Sequence, residues 1–384
     1  MKSLKRLIIV SEFVDEEINS TGLYWNKIIQ CLETKKLTIE IISSKSSIER
    51  SGFQSGNYKL HRVDPPQINS DNFFFSSFNK VIMALFIFYK VVVKTHKNDL
   101  VLSGTNPNIL MAFIATFHRF MRFKWLILVH DIFPENTLPP KILTKTGILY
   151  KALKLVFDFS YSRPDHFISI GRDMSEIIST KTDAKITYIP NFFDFNHIEV
   201  VENHLHNNEY ISLAYSGNFG KLQDIDNIFK AICILGKTDK KFFFSGNGTY
   251  KNRVKDFCDK NENLGVKFLD DGINNNLIDI SIVPLIGGMY GLAVPSKAYF
   301  SLGHNKPLLV VGDSNSELHL TIKENNDIGW FIEAGNPKAL ANLINSISRE
   351  TLQSMTNKPK LVAQRSYSYD VVAKQYRELI NQYL

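Results

Sequence analysis

The chain has few of the features that mark disulfide-rich or zinc-binding proteins. Its 384 residues include three cysteines, at positions 31, 233 and 258, which lie far apart and form no Cys-x-x-Cys pair. Cysteines in this arrangement are typical of reduced, inert thiols. We therefore expect a protein of a reducing compartment, the cytoplasm, with neither a disulfide framework nor a zinc site.

Long apolar runs are also missing. The longest candidate, Val81–Tyr89, ends at Lys90, whereas a membrane-spanning helix needs about 18 apolar residues in succession. The apolar run Leu7–Val10 is too short for a signal peptide and fits a buried first strand. The sequence thus predicts a chain that does not cross the membrane.

Acidic residues are scarce in one span, although the net charge of the chain is only +7. Between Asp71 and Asp131 the single acid is Asp99. The basic residues of this span are Lys80, Lys90, Lys94, Lys97, Arg119, Arg122 and Lys124, and phenylalanines fill much of the sequence between them, from Phe73 to Phe123. This combination suits an anionic lipid surface or a lipid-phosphate substrate, so we expect peripheral binding at the inner face of the cytoplasmic membrane. The alternative is that the aromatic residues belong to the core and the lysines to its solvated rim. No motif indicates binding of nucleic acid.

Short β-rich runs alternate with longer helical patterns along the first half, and the alternation restarts after the polar stretch Asn203–Glu209. Such alternation indicates a parallel sheet covered by helices on both faces. The expected fold is α/β, with two Rossmann-like doubly wound domains that face each other across a cleft. We predict an N-terminal domain at 1–200, a second domain at 201–365 and a helix at 366–384 that packs back on the first domain. Ligands of such sheets bind at the carboxyl ends of the strands.

Two segments of the first half follow predicted strands and carry candidate site residues. The loop Ser11–Gly22 precedes a helix, where Gly22 would let the backbone approach an anion; the alternative is an ordinary capped helix start at Ser20 or Thr21. The segment His130-Asp-Ile-Phe-Pro-Glu135 places three ionisable groups within six residues after an apolar strand. That cluster indicates a functional site, and a satisfied structural histidine is the alternative.

Two segments of the second half are rich in glycine. Tyr215-Ser-Gly-Asn-Phe-Gly-Lys-Leu-Gln223 lies between a strand and a helix, and Lys221 is placed to neutralise phosphate charge. Gly287-Gly-Met-Tyr-Gly-Leu-Ala-Val-Pro-Ser-Lys297 ends at the head of another helix and also suits an anion. Farther along, Glu317 could accept hydrogen bonds from ribose hydroxyls, or it could be a simple charge at the start of a helix.

These segments, in this order, resemble retaining glycosyltransferase family 4, which has the GT-B fold, and in particular its bacterial O-antigen and capsule branch. The matching pieces are His130-Asp-Ile-Phe-Pro-Glu135, Ile189-Pro-Asn191 with Asp194, Ser216-Gly-Asn-Phe-Gly-Lys221 with Gln223, Phe244-Ser-Gly-Asn-Gly248, Gly291-Leu-Ala-Val-Pro-Ser-Lys297, Lys306-Pro307 and Ala334-Gly-Asn-Pro337. They span nearly the whole chain.

The resemblance implies roles for individual residues. His130 and Glu135 would lie near the reacting sugar, and Gly22 would face the donor phosphate or the acceptor. The donor diphosphate would be bound by Lys221 with Asn218 and Gly220. The nucleoside would lie near Gly246 and Gly248, and the transferring sugar and phosphates near Gly291, Ser296 and Lys297.

The resemblance has one important gap. Most members carry two glutamates, seven residues apart, across the fourth segment, but this chain has no acid between Asp279 and Asp313. Glu317 is a candidate for the missing ribose contact. A smaller departure is Asn191-Phe-Phe-Asp194, where the family has Asn-Gly-Val-Asp.

The function that follows is transfer of a hexosyl or N-acetylhexosaminyl group, with retention, from a nucleotide sugar to a hydroxyl of a lipid-diphosphate-linked saccharide in surface polysaccharide synthesis. UDP is the expected nucleotide, with GDP as the alternative, and neither a cofactor nor a metal is expected. Because the glutamate pair is missing, a non-catalytic nucleotide-binding or scaffold subunit remains an alternative. A sugar-nucleotide 2-epimerase on the same fold is the third hypothesis.

Overall fold

In the computed structural model, the described residues are 5–15, 19–34, 37–45, 58–66, 68, 73–197, 209–274 and 278–384. The chain forms two compact units. Unit 1 comprises Met1–Glu135, Leu143–Pro190 and Val372–Leu384, and unit 2 comprises Asn136–Ile142 and Asn191–Val371. The predicted domain boundary at residue 200 and the polar stretch at 203–208 lie outside the described residues.

Unit 1 is built on a seven-stranded parallel sheet in the order β3-β2-β1-β4-β5-β6-β7. The strands are β1 (Lys5–Val10), β2 (Leu37–Ser44), β3 (Tyr58–Val63), β4 (Leu100–Gly104), β5 (Lys124–Val129), β6 (His166–Ser169) and β7 (Lys185–Tyr188). Nearly every residue of β4 and β5 is buried, as expected for central strands covered on both faces.

Helices follow the strands of unit 1. They are α1 (Ser20–Leu32), α2 (Phe73–Lys94), α3 (Asn108–Met121), α4 (Ile148–Tyr161) and α5 (Arg172–Ser179). Helix α3 packs against both α2 and α4. No helix within the described parts of the chain is both long enough and apolar enough to span a membrane.

Unit 2 repeats the plan with a six-stranded parallel sheet in the order β10-β9-β8-β11-β12-β13. Its strands are β8 (Ile211–Ser216), β9 (Lys240–Ser245), β10 (Val266–Phe268), β11 (Ile280–Pro284), β12 (Leu308–Gly312) and β13 (Gly329–Glu333). Its helices are α6 (Ile225–Leu235), α7 (Lys251–Lys260), α8 (Lys297–Gly303), α9 (Glu317–Glu324), α10 (Pro337–Ser346), α11 (Arg349–Ser354) and α12 (Lys358–Ser366).

The last helix, α13 (Tyr369–Tyr383), returns to unit 1. Its buried face includes Val372, Tyr376 and Ile380. At its end the Tyr383 hydroxyl lies 2.8 Å from Nδ1 of His166 on β6. The chain therefore leaves unit 1 and enters it again at its C-terminal end.

The predicted α/β class with two Rossmann-like parallel sheets is confirmed. The sequence analysis missed two strands, β3 and β13. Strand β3 lies at the edge of its sheet and carries His61 and Arg62, which pair with Glu40 and Asp15, so it lacks the apolar run of a central strand. Strand β13 lies at the edge of the second sheet and is only half-buried.

In both units, strand order decides which loops share an edge. All strands of a parallel sheet end on one side, so the segments after β8, β9, β11 and β12 lie along one edge of unit 2. The segments after β1, β4 and β5 lie along the corresponding edge of unit 1. The loop before α1, the segment after β5 and the glycine-rich segments after β8, β9 and β11 all lie at these two edges.

Candidate active site

The turns after β8 and β9 in unit 2 are joined by hydrogen bonds between their backbones. The amide of Gly217 donates to the carbonyl of Ser245 at 3.0 Å, and that of Phe219 donates to Asn247 at 2.6 Å. A Cβ at Gly246 would lie 1.8 Å from the carbonyl oxygen of Gly217. Only glycine fits there, because the φ of +143° also belongs to a region that residues with side chains avoid.

Asn218 occupies the space that the neighbouring glycines leave. A Cβ at Gly248 would lie 2.3 Å from Oδ1 of Asn218, and one at Gly220 would lie 2.9 Å from its Nδ2. The amide of Gly220 donates to Oε1 of Gln223 at 2.9 Å. The structure thus brings the predicted residues Asn218, Gly220, Gly246 and Gly248 together in one pair of turns.

Lys297, at the start of α8, reaches the same turns. Its Nζ lies 3.5 Å from the centroid of the Tyr215 ring and would be 3.2 Å from a Cβ at Gly217. The ammonium is buried and has no hydrogen-bond partner among the described residues. Burial away from any counter-charge lowers the pKa of Lys297 to about 7.

Lys221 has a different setting. It is exposed, four residues before α6 begins at Ile225. Its position after the glycine turn leaves it accessible to an anion in solution. No contact described for unit 2 joins Lys221 to Lys297.

The fourth segment forms a loop held by Asp313. The two oxygens of this carboxylate accept hydrogen bonds from the amides of Gly288, at 2.9 Å, and Tyr290, at 2.7 Å. Gly291 is buried with a φ of +68°, and Ser296 immediately precedes α8 and makes no side-chain cap. Asp313 follows β12, so sequence reasoning gave no signal that it organises a loop after β11.

Glu317 is buried at the start of α9, with 1% of its surface exposed. The Thr321 hydroxyl donates to its backbone carbonyl at 2.8 Å and lies 3.4 Å from its Oε1. The contact of Glu317 with a ribose stays a prediction, and its carboxylate lies inside unit 2.

In unit 1, Gly22 lies in the first turn of α1. A Cβ there would be 2.1 Å from the carbonyl oxygen of Asp15, and the Gly22 amide donates to the Oδ1 of Asn19 at 2.9 Å. Asn19 therefore caps the helix, in place of the Ser20 or Thr21 expected from the sequence. The close approach to Asp15 gives Gly22 a structural reason to be glycine.

His130 follows β5 and packs near Trp25 of α1, with ring centroids 6.4 Å apart. Its backbone amide donates to Oγ1 of Thr105 at 3.4 Å. Its Nε2 is buried without a partner among the described residues. Burial lowers the pKa of His130 to about 4, so the imidazole is neutral at physiological pH.

Glu135 is the last residue of the same segment, and it belongs to an ion-pair cluster. Its Oε1 pairs with Lys181 and with Lys154, the latter at 3.1 Å, and both lysines also pair with Asp158. Lys154 comes from α4 and Lys181 follows α5, so two later parts of the chain neutralise this carboxylate. Its contact with the reacting sugar stays a prediction.

From the sequence we expected no Asp-x-Asp motif, and that expectation is wrong, because Asp224-Ile225-Asp226 is such a triplet. Asp224 accepts from the amide of Gly335 at 3.3 Å, and Asp226 pairs with Arg253. Within the described parts of the chain, no three His, Cys, Asp or Glu side chains converge as metal ligands would. The expectation that no metal takes part stays a prediction.

Comparison with known proteins identifies the family. No family model matches the chain. The probable glycosyltransferase WbjE of Pseudomonas aeruginosa is 31% identical over 382 residues, which cover 95% of each chain. The chain belongs to the same glycosyltransferase family as WbjE.

Solved structures agree on the fold of the glycosyltransferase. Sucrose-phosphate synthase from Thermosynechococcus elongatus matches with a TM-score of 0.78 at 12% identity, over 98% of each chain. HepE from Anabaena, in complex with UDP and glucose, matches with a TM-score of 0.69 at 12% identity, over 98% of this chain and 100% of its own. The lipopolysaccharide outer core galactosyltransferase WaaB matches with a TM-score of 0.64 at 9% identity, over 99% and 100%. These likenesses establish a GT-B fold.

The joined turns make a specific prediction for Gly246→Ala. The backbone conformation alone costs about 1–3 kcal/mol for a residue with a side chain, and the contact with Gly217 adds to it. We expect a lower urea midpoint for unit 2. Gly312→Ala is the matched control, since a Cβ there meets nothing within 4 Å. Equal midpoints for the two variants would contradict the close approach.

Lys297 makes a prediction about pH. Its pKa is about 7 in the folded protein and about 10.4 in an unfolded chain. Between these values the unfolded state binds more protons, so the contribution of Lys297 makes stability rise with pH, by up to about 1.4 kcal/mol per unit. The free energy of unfolding of the wild type, minus that of Lys297→Met, should increase between about pH 7 and 9. Lys237→Met, at an exposed lysine, should leave no such slope, and a flat difference for Lys297→Met would refute the lowered pKa.

Proposed function

We propose that the glycosyltransferase transfers a hexosyl or N-acetylhexosaminyl group, with retention, from a UDP-sugar to a hydroxyl of a lipid-linked saccharide in surface polysaccharide synthesis. The observation that carries the donor part is the buried, unpartnered ammonium of Lys297 beside the joined glycine turns. A cation without a counter-ion at the carboxyl edge of a parallel sheet suits an anionic ligand.

A nucleoside diphosphate suits the charge of this edge. The glycines at 217, 246 and 248 let the two turns pack closely together, with Lys297 Nζ next to Gly217. A bound diphosphate would supply a counter-charge for the ammonium of Lys297, and the exposed Lys221 would add a second cation. The HepE structure, similar in fold, contains UDP and glucose, which supports UDP as the nucleotide.

The chemistry depends on stabilising the leaving group. As the bond between the sugar and the diphosphate breaks, negative charge grows on the diphosphate, and a nearby fixed cation lowers the barrier. The protein otherwise holds donor and acceptor in a reactive arrangement. Retention, and a leaving phosphate that helps to deprotonate the incoming hydroxyl, follow from the resemblance to family 4.

The acceptor part rests on an exposed apolar surface of unit 1. Helices α2, α3 and α4 are neighbours, and each exposes large apolar side chains to solvent. The most exposed are Tyr89 at 63%, Phe120 at 82%, Ile148 at 87% and Leu155 at 74%. We call this surface the apolar face; its other members are Phe75, Phe78, Leu85, Phe86, Val92, Val93, Phe117, Leu149 and Val156.

Charge on the same helices favours an anionic lipid surface as the occupant of the apolar face. Lys80 on α2, Arg119 on α3 and Lys151 on α4 are exposed. Helices α2 and α3 contain no acidic residue, and Asp158 of α4 is already paired with Lys154 and Lys181. Apolar side chains among cations insert into the interface of an anionic membrane. Such a surface would hold the enzyme beside a lipid-linked acceptor at the inner face of the cytoplasmic membrane.

The donor proposal predicts selective stabilisation by a nucleotide. In a thermal-shift screen of UDP, GDP, CMP and dTDP, we expect UDP to raise the melting temperature, since a ligand at 100 times its Kd adds about 2.7 kcal/mol. Lys297→Met and Lys221→Ala should reduce the shift, and Lys237→Ala, at an exposed lysine of unit 2, should not. If GDP alone raises the melting temperature, GDP and not UDP is the nucleotide of the donor. If none of the nucleotides stabilises the wild type, a scaffold subunit becomes the better reading.

The membrane proposal predicts sedimentation with vesicles of phosphatidylethanolamine and phosphatidylglycerol. Combining Phe120→Asp, Ile148→Asp and Leu155→Asp should weaken vesicle binding more than tenfold, since each apolar side chain contributes about 1.5–3 kcal/mol when buried. The control combines Ile234→Asp and Leu361→Asp, which change exposed apolar residues of unit 2. Equal binding of the two combined variants would argue against the apolar face as the membrane contact.

A further inference from the structure

The carboxyl edge of the sheet in unit 1 contains a carboxylate that the roles assigned above leave unused. Asp131 follows β5, directly after His130. One of its oxygens accepts a hydrogen bond from the Thr105 hydroxyl, and its Oδ1 is buried with no partner among the described residues. A buried acceptor without a donor destabilises a fold, so its presence calls for an explanation.

The two carboxylates of the segment each have one buried oxygen without a partner among the described residues, Asp131 Oδ1 and Glu135 Oε2, but they differ in their ion pairs. Glu135 is neutralised by Lys154 and Lys181. Among the described residues Asp131 forms no ion pair, and the charge of the exposed Lys80 lowers the pKa of Asp131. Burial outweighs that effect and raises the pKa of Asp131 to about 6. Above that pH its free oxygen is a charged acceptor for a hydrogen-bond donor.

Thr105 holds Asp131 and His130 in fixed positions. Its Oγ1 accepts from the amide of His130 at 3.4 Å and donates to the Asp131 carboxylate, and its side chain is buried. Trp25 lies beside the His130 ring, at 6.4 Å between centroids. The adjacent residues therefore present two buried, unpartnered polar atoms, Oδ1 and Nε2, from one rigid point of the sheet edge.

The chemistry of this pair selects among ligands. A carboxylate oxygen only accepts hydrogen bonds, and it repels phosphate. A neutral imidazole nitrogen donates or accepts according to its tautomer. Hydroxyl groups match both, because each can donate to the carboxylate and donate to or accept from the ring.

We infer that Asp131 Oδ1 and His130 Nε2 form a binding pair for sugar hydroxyls, and that Asp131, in place of Glu135, is the carboxylate of this segment that touches a saccharide. The inference rests on the proposed function, since a glycosyltransferase handles two saccharides. The hydroxyls belong to the transferring sugar or to the acceptor, and these two sources share the same chemistry.

The test uses Asp131→Asn in the full-length protein, which keeps the shape of the side chain and removes its charge. Binding of UDP, UDP-glucose and UDP-N-acetylglucosamine is measured by calorimetry, and binding of methyl glucoside and methyl N-acetylglucosaminide by saturation-transfer NMR. A charge-assisted hydrogen bond to a sugar hydroxyl predicts a loss of about tenfold in affinity. His130→Gln is a second variant that should weaken the same probes, and Asp183→Asn, at an exposed site of unit 1, is the matched control.

The pattern of losses identifies the sugar. Weaker binding of the UDP-sugars with unchanged UDP assigns the pair to the transferring sugar. Weaker binding of the methyl glycosides with unchanged nucleotides assigns it to the acceptor. If Asp131→Asn binds every probe as the wild type does, or the wild type binds UDP but no sugar-bearing probe, the inference is wrong. Failure of the wild type to bind UDP would instead count against the proposed donor.

Discussion

The close backbone contact between the turns after β8 and β9 is the constraint on which the candidate donor site depends. Because the Gly217 carbonyl occupies the place where a Cβ of Gly246 would be, position 246 requires glycine, and Gly217, Gly246 and Gly248 all adopt positive φ angles. The contact leaves little space for side chains and positions Asn218 between Gly220 and Gly248. Two amides of the first turn are already bonded to the second turn. Fixed positive charge at this edge therefore has to come from side chains, and Lys297 lies beside Gly217.

Much of the fold could be predicted from the sequence because central strands leave a clear pattern. Strands such as β5 and β11 are buried along their length, so they appear as short apolar runs bounded by loops. The edge strand β3 was missed because its stability comes from pairing with β2 and from polar contacts such as that of Arg62 with Asp15. Those partners are distant in sequence, and a local pattern contains no information about them.

Part of the candidate site could also be predicted from local patterns in the sequence. The glycine turns are local features, and the structure brings them together as parallel strand order requires. The environment of each ionisable group was not predictable. Glu135 and Asp131 lie four residues apart, yet only Glu135 meets lysines from α4 and from the segment after α5. From the sequence, Glu317 was a candidate to contact a ribose, but the structure buries its side chain.

The absence of acidic residues between Asp279 and Asp313 is best understood through charge at the edge of unit 2. A carboxylate near the ammonium of Lys297 would pair with it and restore an ordinary pKa, leaving less positive charge for an anion. In this chain Asp313, the nearest acid after the segment, directs both oxygens to the amides of Gly288 and Tyr290. Its charge is thereby used to fix a loop. Among the described residues Lys297 has no counter-ion, and burial makes its charged form costly, which a bound anion would offset. With no carboxylate in this segment to pair with it, the ammonium of Lys297 keeps its attraction for an anion from outside the protein.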